Sequence, residues 1–242
     1  MPVHWYHGMV VEIYALSPAT RQFKIQITGE DTIFNFLPGQ FVTFDLPVSE
    51  KRLHRWKSYS IANHPDESNI LEFCIVKSDD GLGTKYLFEE ISEGSIVKFK
   101  GPDGGFVIPP DLSKEIVMIC TGTGVAPFRS MIKHIVTNKL TFKGIHLIFG
   151  TRSEENILYR DEFEKIVREN PLFRYSVALS RENKPPFHYG YIHNIYLTEY
   201  SVKNDERQFY ICGWTKMIDE AVANILINLN YDRSQIHYEL YG

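Results

Sequence analysis

The sequence predicts an antiparallel β-barrel followed by a doubly wound parallel sheet, a β plus α/β architecture. Three observations predict it. The first half carries short β-branched and aromatic runs separated by turn residues, and the second half alternates apolar runs with amphipathic stretches. Between them, Ile119 to Ser130 gives an apolar strand, a glycine turn and a helix in immediate succession. A chain of 242 residues accommodates two domains of ordinary size, expected at 1–110 and 111–242.

In the first half, Met9 to Leu16, Gln22 to Thr28, Gln40 to Leu46, Lys57 to Asn63 and Ile70 to Lys77 have strand character. Ser17-Pro18, Pro38-Gly39 and His64-Pro65-Asp66 punctuate them. Closing such strands into a barrel removes exposed edges. Along Lys57-Ser58-Tyr59-Ser60 a cation, an aromatic ring and hydroxyls alternate, and period two sends Lys57 and Tyr59 to one face. The residue types suit a phosphate, a flat ring and a polar ring atom; an ordinary amphipathic strand has the same pattern. Gly81-Leu82-Gly83-Thr84 then leads into a helix from Lys85 to Ile91, with Thr84 as expected N-cap. A helix N-terminus beside glycines is a phosphate site, or simply a capped loop. Gly101-Pro102-Asp103-Gly104-Gly105 is expected to be the turn that closes the barrel.

The second half opens with the apolar run Ile116 to Cys120, after which Gly122 and Gly124 let the backbone turn sharply. Pro127 suits a first helical turn, and Phe128, Met131, Ile132 and Ile135 fall on one face. Free N–H groups at this turn suit a pyrophosphate, although the spacing Gly-x-Gly-x-x-Pro alone also fits a tight turn without a ligand. Strands are expected at Ile145 to Phe149, Tyr175 to Leu179, Gln208 to Cys212 and Ile236 to Leu240. Asp161 to Val167 reads as a helix with Phe163, Ile166 and Val167 inward, and Thr215 to Asn230 as a helix with a stripe from Met217 to Leu226. Ligands of such sheets sit beyond the carboxyl ends of the strands, where Thr121, Arg152, Ser180, Arg181 and Gly213 fall.

Composition narrows the chemistry. A net charge of -4 gives no support for nucleic acid as a partner. No apolar run approaches the roughly 20 residues of a membrane span, and Met1 to Ala15 lacks the features of a leader, so a cytoplasmic location is expected. Cys74, Cys120 and Cys212 are far apart, and the nine histidines are scattered, so no metal site is expected and any further electron carrier is a separate molecule. Ser60 has no His-Asp partners that would make a hydrolase.

In this order the motifs resemble those of the ferredoxin-NADP reductase family of flavoproteins over nearly the whole chain. Lys57-Ser58-Tyr59-Ser60 resembles its Arg-x-Tyr-Ser flavin motif, and Gly81 to Thr84 its Gly-x-x-Ser/Thr pyrophosphate motif. Gly122 to Phe128 is similar to its Gly-Thr-Gly-x-Ala-Pro-Phe nicotinamide motif, Cys212-Gly213 to its Cys-Gly-Pro segment, and Glu239-Leu240-Tyr241 to its Glu-x-aromatic ending. The resemblance implies a barrel domain that binds FAD, a parallel-sheet domain that binds NADP or NAD, and an NAD(P)H-dependent flavoprotein reductase. Tyr59 would lie on the flavin, Ser60 near its N5 and Lys57 at the pyrophosphate, while Cys74, Ile75 and Val76 would line the way to the adenosine. Thr123 would sit between the cofactors, Cys212 beside the nicotinamide, Glu239 in the polar network, and Tyr241 over the other flavin face. In the family the nicotinamide C4 passes a hydride to flavin N5, so the protein's task is alignment and electrostatics.

Three departures bear on this. Lys57 stands where arginine is usual, so FAD is held more loosely unless Arg55 helps; Trp214 replaces proline; and Gly242 follows the aromatic ending. Ser180-Arg181 resembles the family's 2′-phosphate site, with Tyr191 placed to stack on adenine. NADH-using relatives share Ser-Arg, Glu182 would repel a phosphate, and Arg152 is a further candidate; NADPH is the expected donor, with NADH possible. The acceptor is expected to be ferredoxin or flavodoxin, docked on a basic rim from Lys51, Arg52, Arg55 and Lys57. A flavin reductase that uses flavin as substrate, and a relay subunit of a larger complex, are the alternatives.

Overall fold

The computed structural model describes residues 3–29 and 33–241. They fall into two compact units: the chain up to Ile108 together with Ala126–His134, and Pro109–Val125 together with the chain from Ile135 onward.

The first unit contains β1 (Tyr6–Ser17), β2 (Thr20–Thr28), β3 (Phe41–Asp45), α1 (Arg52–Arg55), β4 (Trp56–Ser60), β5 (Ile70–Val76), α2 (Leu82–Glu89) and β6 (Ile96–Asp103). Its sheet runs β4-β3-β6-β1-β2-β5 with antiparallel neighbours, and a bridge from Ile61 to Phe73 joins its two ends. That closure leaves no long edge open to another chain. Alternation turns Phe23, Ile25, Val42, Phe44, Phe73 and Phe99 inward, where all are buried. The Phe44 ring lies 5.0 Å from Phe73 and 5.1 Å from Tyr59. Each such aromatic contributes about 2 kcal/mol or more by burial alone. Leu87 of α2 is buried in the same cluster.

Two expectations are corrected here. Gly101-Pro102-Asp103 is no turn but the end of β6, a strand that the sequence reading passed over. Opposite it the β3 register slips between Phe41 and Thr43, an irregularity where a residue without an N–H is tolerated. Second, α2 begins at Leu82 with Gly81 as its N-cap, so Thr84 lies inside the first turn. The Thr84 hydroxyl instead ties down the preceding loop, accepting the Ser78 N–H at 3.1 Å and donating to the Gly81 carbonyl at 3.1 Å.

The second unit contains β7 (Glu115–Thr121), the start and end of α3 (Val125–Thr137), β8 (Gly144–Thr151), α4 (Arg160–Glu169), β9 (Phe173–Leu179), β10 (His188–Tyr189), α5 (His193–Glu199), β11 (Arg207–Trp214), α6 (Thr215–Ala223) and β12 (Ile236–Tyr241). Its strands are parallel in the order β10-β9-β8-β7-β11-β12. The chain winds outward from β7 to β10, then returns to the other side, so the order reverses between β7 and β11. This switch point is where such sheets take ligands. Val117, Ile119, Phe209 and Ile211 form one core with Ile195, Tyr196, Ile218 and Ala221 from α5 and α6.

Phe128, Met131, Ile132 and Ile135 of α3 are buried as their spacing predicts. In α4, Phe163 and Ile166 are buried but Val167 is exposed, because its position has already rotated toward water. The helix expected to reach Asn230 keeps α-geometry only to Ala223 and continues as a wider turn over Asn224–Asn228.

Candidate functional site

In the first unit, Lys57 lies against the start of α2. A Cβ built on Gly83 would meet Lys57 Cγ at 3.0 Å and Leu46 Cδ1 at 3.1 Å. Glycine therefore lets this cation lie close to the first turn of α2. That turn has no side-chain cap and no acidic residue, so its leading N–H groups remain available to an anion. Lys57 itself has no ion-pair partner among the described residues. Arg55 is engaged by Asp45: its guanidinium grips the carboxylate at two points, Nε to Oδ1 at 2.8 Å and Nη2 to Oδ2 at 2.9 Å. Tyr59 shares the Lys57 face, and burial pushes its phenol pKa up. Ser60 is buried, whereas Ser58 is exposed with its hydroxyl 3.1 Å from that of Thr43. Cys74 and Ile75 are buried and Val76 half-buried along β5, with Leu82 exposed at the helix start.

In the second unit, the carboxyl ends of β7, β11 and β12 gather Thr121, Gly122–Gly124, Cys212, Gly213, Glu239 and Tyr241. In register, Cys120 faces Cys212, Cys212 faces Glu239, and Trp214 faces Tyr241. A Cβ on Gly124 would come within 2.4 Å of the Cys212 carbonyl oxygen, so the turn and β11 touch backbone to backbone. Gly213 adopts φ +151° where a side chain would strike Thr121 Oγ1 and Met217. Thr121 Oγ1 is buried without a hydrogen-bond partner, a polar group left over beside the glycine turn. Burial, then the charge of Glu239, raises the Cys212 thiol pKa, so it stays a neutral wall. Trp214 precedes α6 and is largely exposed, and Pro127 lies in the first turn of α3. Gly242 lies outside the described residues.

Arg152, Ser180, Arg181 and Tyr191 lie on the loops beyond β8, β9 and β10. Ser180 N–H donates to the Thr151 carbonyl and Arg181 N–H to the Arg152 carbonyl, both at 2.9 Å. Tyr191 is 68% exposed, which leaves a ring face open to a base. Glu182 points its carboxylate at the Glu154 N–H at 2.8 Å.

Of the expected basic rim, Arg52 lies on a basic and aromatic face of the first unit whose indoles, Lys98 and Lys100 the sequence reading did not include. Trp56 has Arg52 at 4.7 Å and Lys100 at 4.6 Å from its ring, and Trp5 has Lys98 at 4.8 Å. The two indoles meet edge to face at 5.4 Å, and Leu53 beside them is 81% exposed. Trp56, immediately before Lys57, was the signal in the sequence.

These turns fit the groups that the motifs imply: open N–H groups beside a cation in one unit, and a glycine turn with an unpartnered hydroxyl in the other. No helix is long and apolar enough to cross a membrane, and no cluster of metal-ligating side chains occurs among the described residues.

Comparison with known proteins agrees. The family model of the oxidoreductase FAD-binding domain matches residues 7–108, and that of the oxidoreductase NAD-binding domain residues 118–223. Ferredoxin–NADP reductase B of Sorangium cellulosum is 28% identical over 98% of this chain and 97% of its own length. The phenol hydroxylase P5 protein of Acinetobacter pittii is 29% identical over 97% of this chain, which spans only 65% of that protein. Among solved structures, an Amycolatopsis cytochrome P450 reductase superposes with a TM-score of 0.88 at 25% identity, covering 99% of this chain and 70% of that one. With FAD-binding and NAD-binding modules in this order, each carrying its glycine turn at a helix start, the chain belongs to the ferredoxin-NADP reductase-like family of flavoproteins.

Proposed function

We propose that this protein is an FAD-dependent reductase that draws reducing equivalents from NADPH and delivers them singly to a small acidic electron carrier, a ferredoxin or flavodoxin. The chemistry that FAD supplies when bound is exchange between a two-electron nicotinamide and one-electron acceptors. The chain's own work is to hold and orient. Lys57 and the N–H groups at the start of α2 take the FAD pyrophosphate, Tyr59 packs on the flavin ring, and Ser60 offers its hydroxyl to the ring's polar edge, beside Cys74, Ile75 and Val76. Gly122, Thr123 and Gly124 receive the nicotinamide dinucleotide, and Cys212 and Gly213 wall its ring. On the family's pattern Tyr241 would cover the remaining flavin face and yield to the nicotinamide, and Glu239 would order the polar groups around it. Arg152, Ser180 and Arg181 take the 2′-phosphate, with Tyr191 against the adenine.

The observation that supports the acceptor is the face formed by Arg52, Lys98, Lys100, Trp5 and Trp56. These three cations have no ion pair among the described residues, on a chain whose net charge is -4. A basic patch on an acidic protein favours acidic partners and speeds their encounter. The test is reduction of an acidic ferredoxin by the FAD-loaded protein at rising salt. Steep loss of rate with salt, shared by Arg52→Glu and Lys100→Glu, supports the reading; salt-independent rates oppose it.

One observation favours a second reading. Lys57 lies against the α2 turn where the family's motif carries arginine, and an ammonium gives a weaker phosphate grip than a guanidinium. A flavin reductase that releases its flavin would be built this way. FAD that survives gel filtration with the protein decides for the first reading. The relatives that are parts of larger oxygenase systems keep a reductase subunit as a further form of the same activity.

A further inference from the structure

The two loops proposed to hold the 2′-phosphate are knotted together by Glu154. Its N–H is taken by the Glu182 carboxylate at 2.8 Å, and its own carboxylate is gripped by Lys184 and, at 2.7 Å, by Arg160. Glu182 and Lys184 belong to the loop after β9, so one short segment holds the loop after β8 from both its charged ends. The backbone bonds from Ser180 and Arg181 to Thr151 and Arg152 complete the join.

The charges that remain are instructive. Arg160 is shared between Glu154 and Glu164, and Lys184 is paired with Glu154. Arg152 and Arg181, whose backbones are directly bonded, are exposed and have no ion pair among the described residues. The hydrogen-bonded backbones bring two like charges onto adjacent loops, while the carboxylates of Glu154 and Glu182 on the same loops are bound elsewhere. A phosphate monoester carrying close to two negative charges is the kind of group that relieves this, and guanidinium is the side chain suited to it.

From the sequence, Glu182 would repel that phosphate. In the fold its carboxylate is turned to a backbone N–H, a charge-assisted bond that both fixes its position and partly satisfies its charge. We infer that Glu182 is a positioning residue of the nucleotide site: by pinning Glu154 it holds Arg152 and Arg181 together as a clamp for the 2′-phosphate of NADPH. The inference rests on the reading that the adenosine end of NADPH binds these loops.

The two roles for Glu182 predict opposite signs. The test is calorimetric titration of the FAD-loaded full chain with 2′,5′-ADP and with 5′-AMP, ligands that differ by the 2′-phosphate and need no turnover. Positioning predicts that Glu182→Ala weakens 2′,5′-ADP about five- to tenfold, the loss of one charge-assisted hydrogen bond, with 5′-AMP little changed. Glu182→Gln keeps an acceptor for the Glu154 N–H and should return 2′,5′-ADP affinity to within about twofold of the parent. Tighter 2′,5′-ADP binding in both variants would show that the residue acts by repulsion and overturns the inference. Equal weakening of both ligands overturns it too, because a general disturbance of the loop has no preference for the phosphate. If Glu182→Ala does not fold, Lys184→Ala removes the other grip and carries the same selective expectation. Arg181→Ala serves as the separate check: if it leaves both ligands unchanged, the nucleotide does not bind these loops, and the underlying reading fails first.

Discussion

Each unit places a glycine pair at the start of a helix, yet the two turns are built from different material. At α2, the space under Gly83 is bordered by side-chain atoms, Lys57 Cγ at 3.0 Å and Leu46 Cδ1 at 3.1 Å, which need give by only a few tenths of an ångström. At α3, the space under Gly124 is bordered by the carbonyl of Cys212 and the Cα of Gly213, atoms locked in the centre of a parallel sheet. The first turn is therefore adjustable and the second rigid. That difference suits the proposed duties: a cofactor retained through flexible contacts, and a substrate that must arrive each cycle in one alignment.

The sharpest way to break the comparison is Gly124→Ala. Its methyl has nowhere to go, because a backbone carbonyl would stand 2.4 Å away. We expect a loss of about 3 kcal/mol or more, seen as a lowered urea midpoint and abolished nucleotide binding. A variant with parental stability and affinity would mean that the turn is not rigid.

Acid should separate the units next. His146 on β8 is 1% exposed, with Nδ1 2.6 Å from Tyr200 Oη and Nε2 2.8 Å from Ser176 Oγ. Burial, then the nearby charges of Arg174 and His188, pushes its pKa down to about 3. Glu199, 3.8 Å away, is committed to Arg174. The unfolded chain protonates this histidine near 6.5 and the folded chain does not until about 3, so the unfolded state binds more protons in between. Stability accordingly falls as pH drops through that window, by a few kcal/mol from this residue, and is restored as pH rises. Urea midpoints measured between those limits should show the slope, and His146→Gln, which retains polar atoms for Tyr200 and Ser176, should flatten it. A slope unchanged in that variant would assign the acid sensitivity elsewhere.

A smaller effect is expected at Lys57. Lys57→Met should weaken FAD about tenfold while leaving 2′,5′-ADP binding intact, checked by fluorescence titration of flavin. Equal loss of both ligands would contradict the assignment of the phosphate cation to the first unit. The smallest belongs to Gly83→Ala, where the neighbours can yield: we expect about 1 kcal/mol or less in stability, with a modest drop in FAD affinity. A loss matching Gly124→Ala would erase the contrast between the turns.

The rigid turn was legible in the sequence because everything that makes it is local: an apolar run, two glycines, a proline and a helical stripe from Phe128 to Ile135. So were the strands on either side, whose alternation or continuous apolarity is written residue by residue. β6 escaped because Gly101-Pro102-Asp103 has turn chemistry, while the β3 register slip that accommodates it involves a distant strand. Thr84 escaped for a related reason, since its hydroxyl is used by Ser78 and Gly81 rather than by the helix end. Glu182 carries the plainest lesson. Its charge was visible, but its bond to Glu154 depends on two neighbouring β-strands delivering their loops side by side, which no local pattern encodes.

The most direct test of the account is anaerobic mixing of the FAD-reconstituted protein with NADPH and, separately, NADH, followed by visible absorbance. The account predicts that bound flavin loses its colour with either nucleotide, at lower concentration with NADPH, and regains it on addition of an acidic one-electron acceptor. Flavin that stays yellow with both donors, or a chain that takes up no FAD, would contradict it.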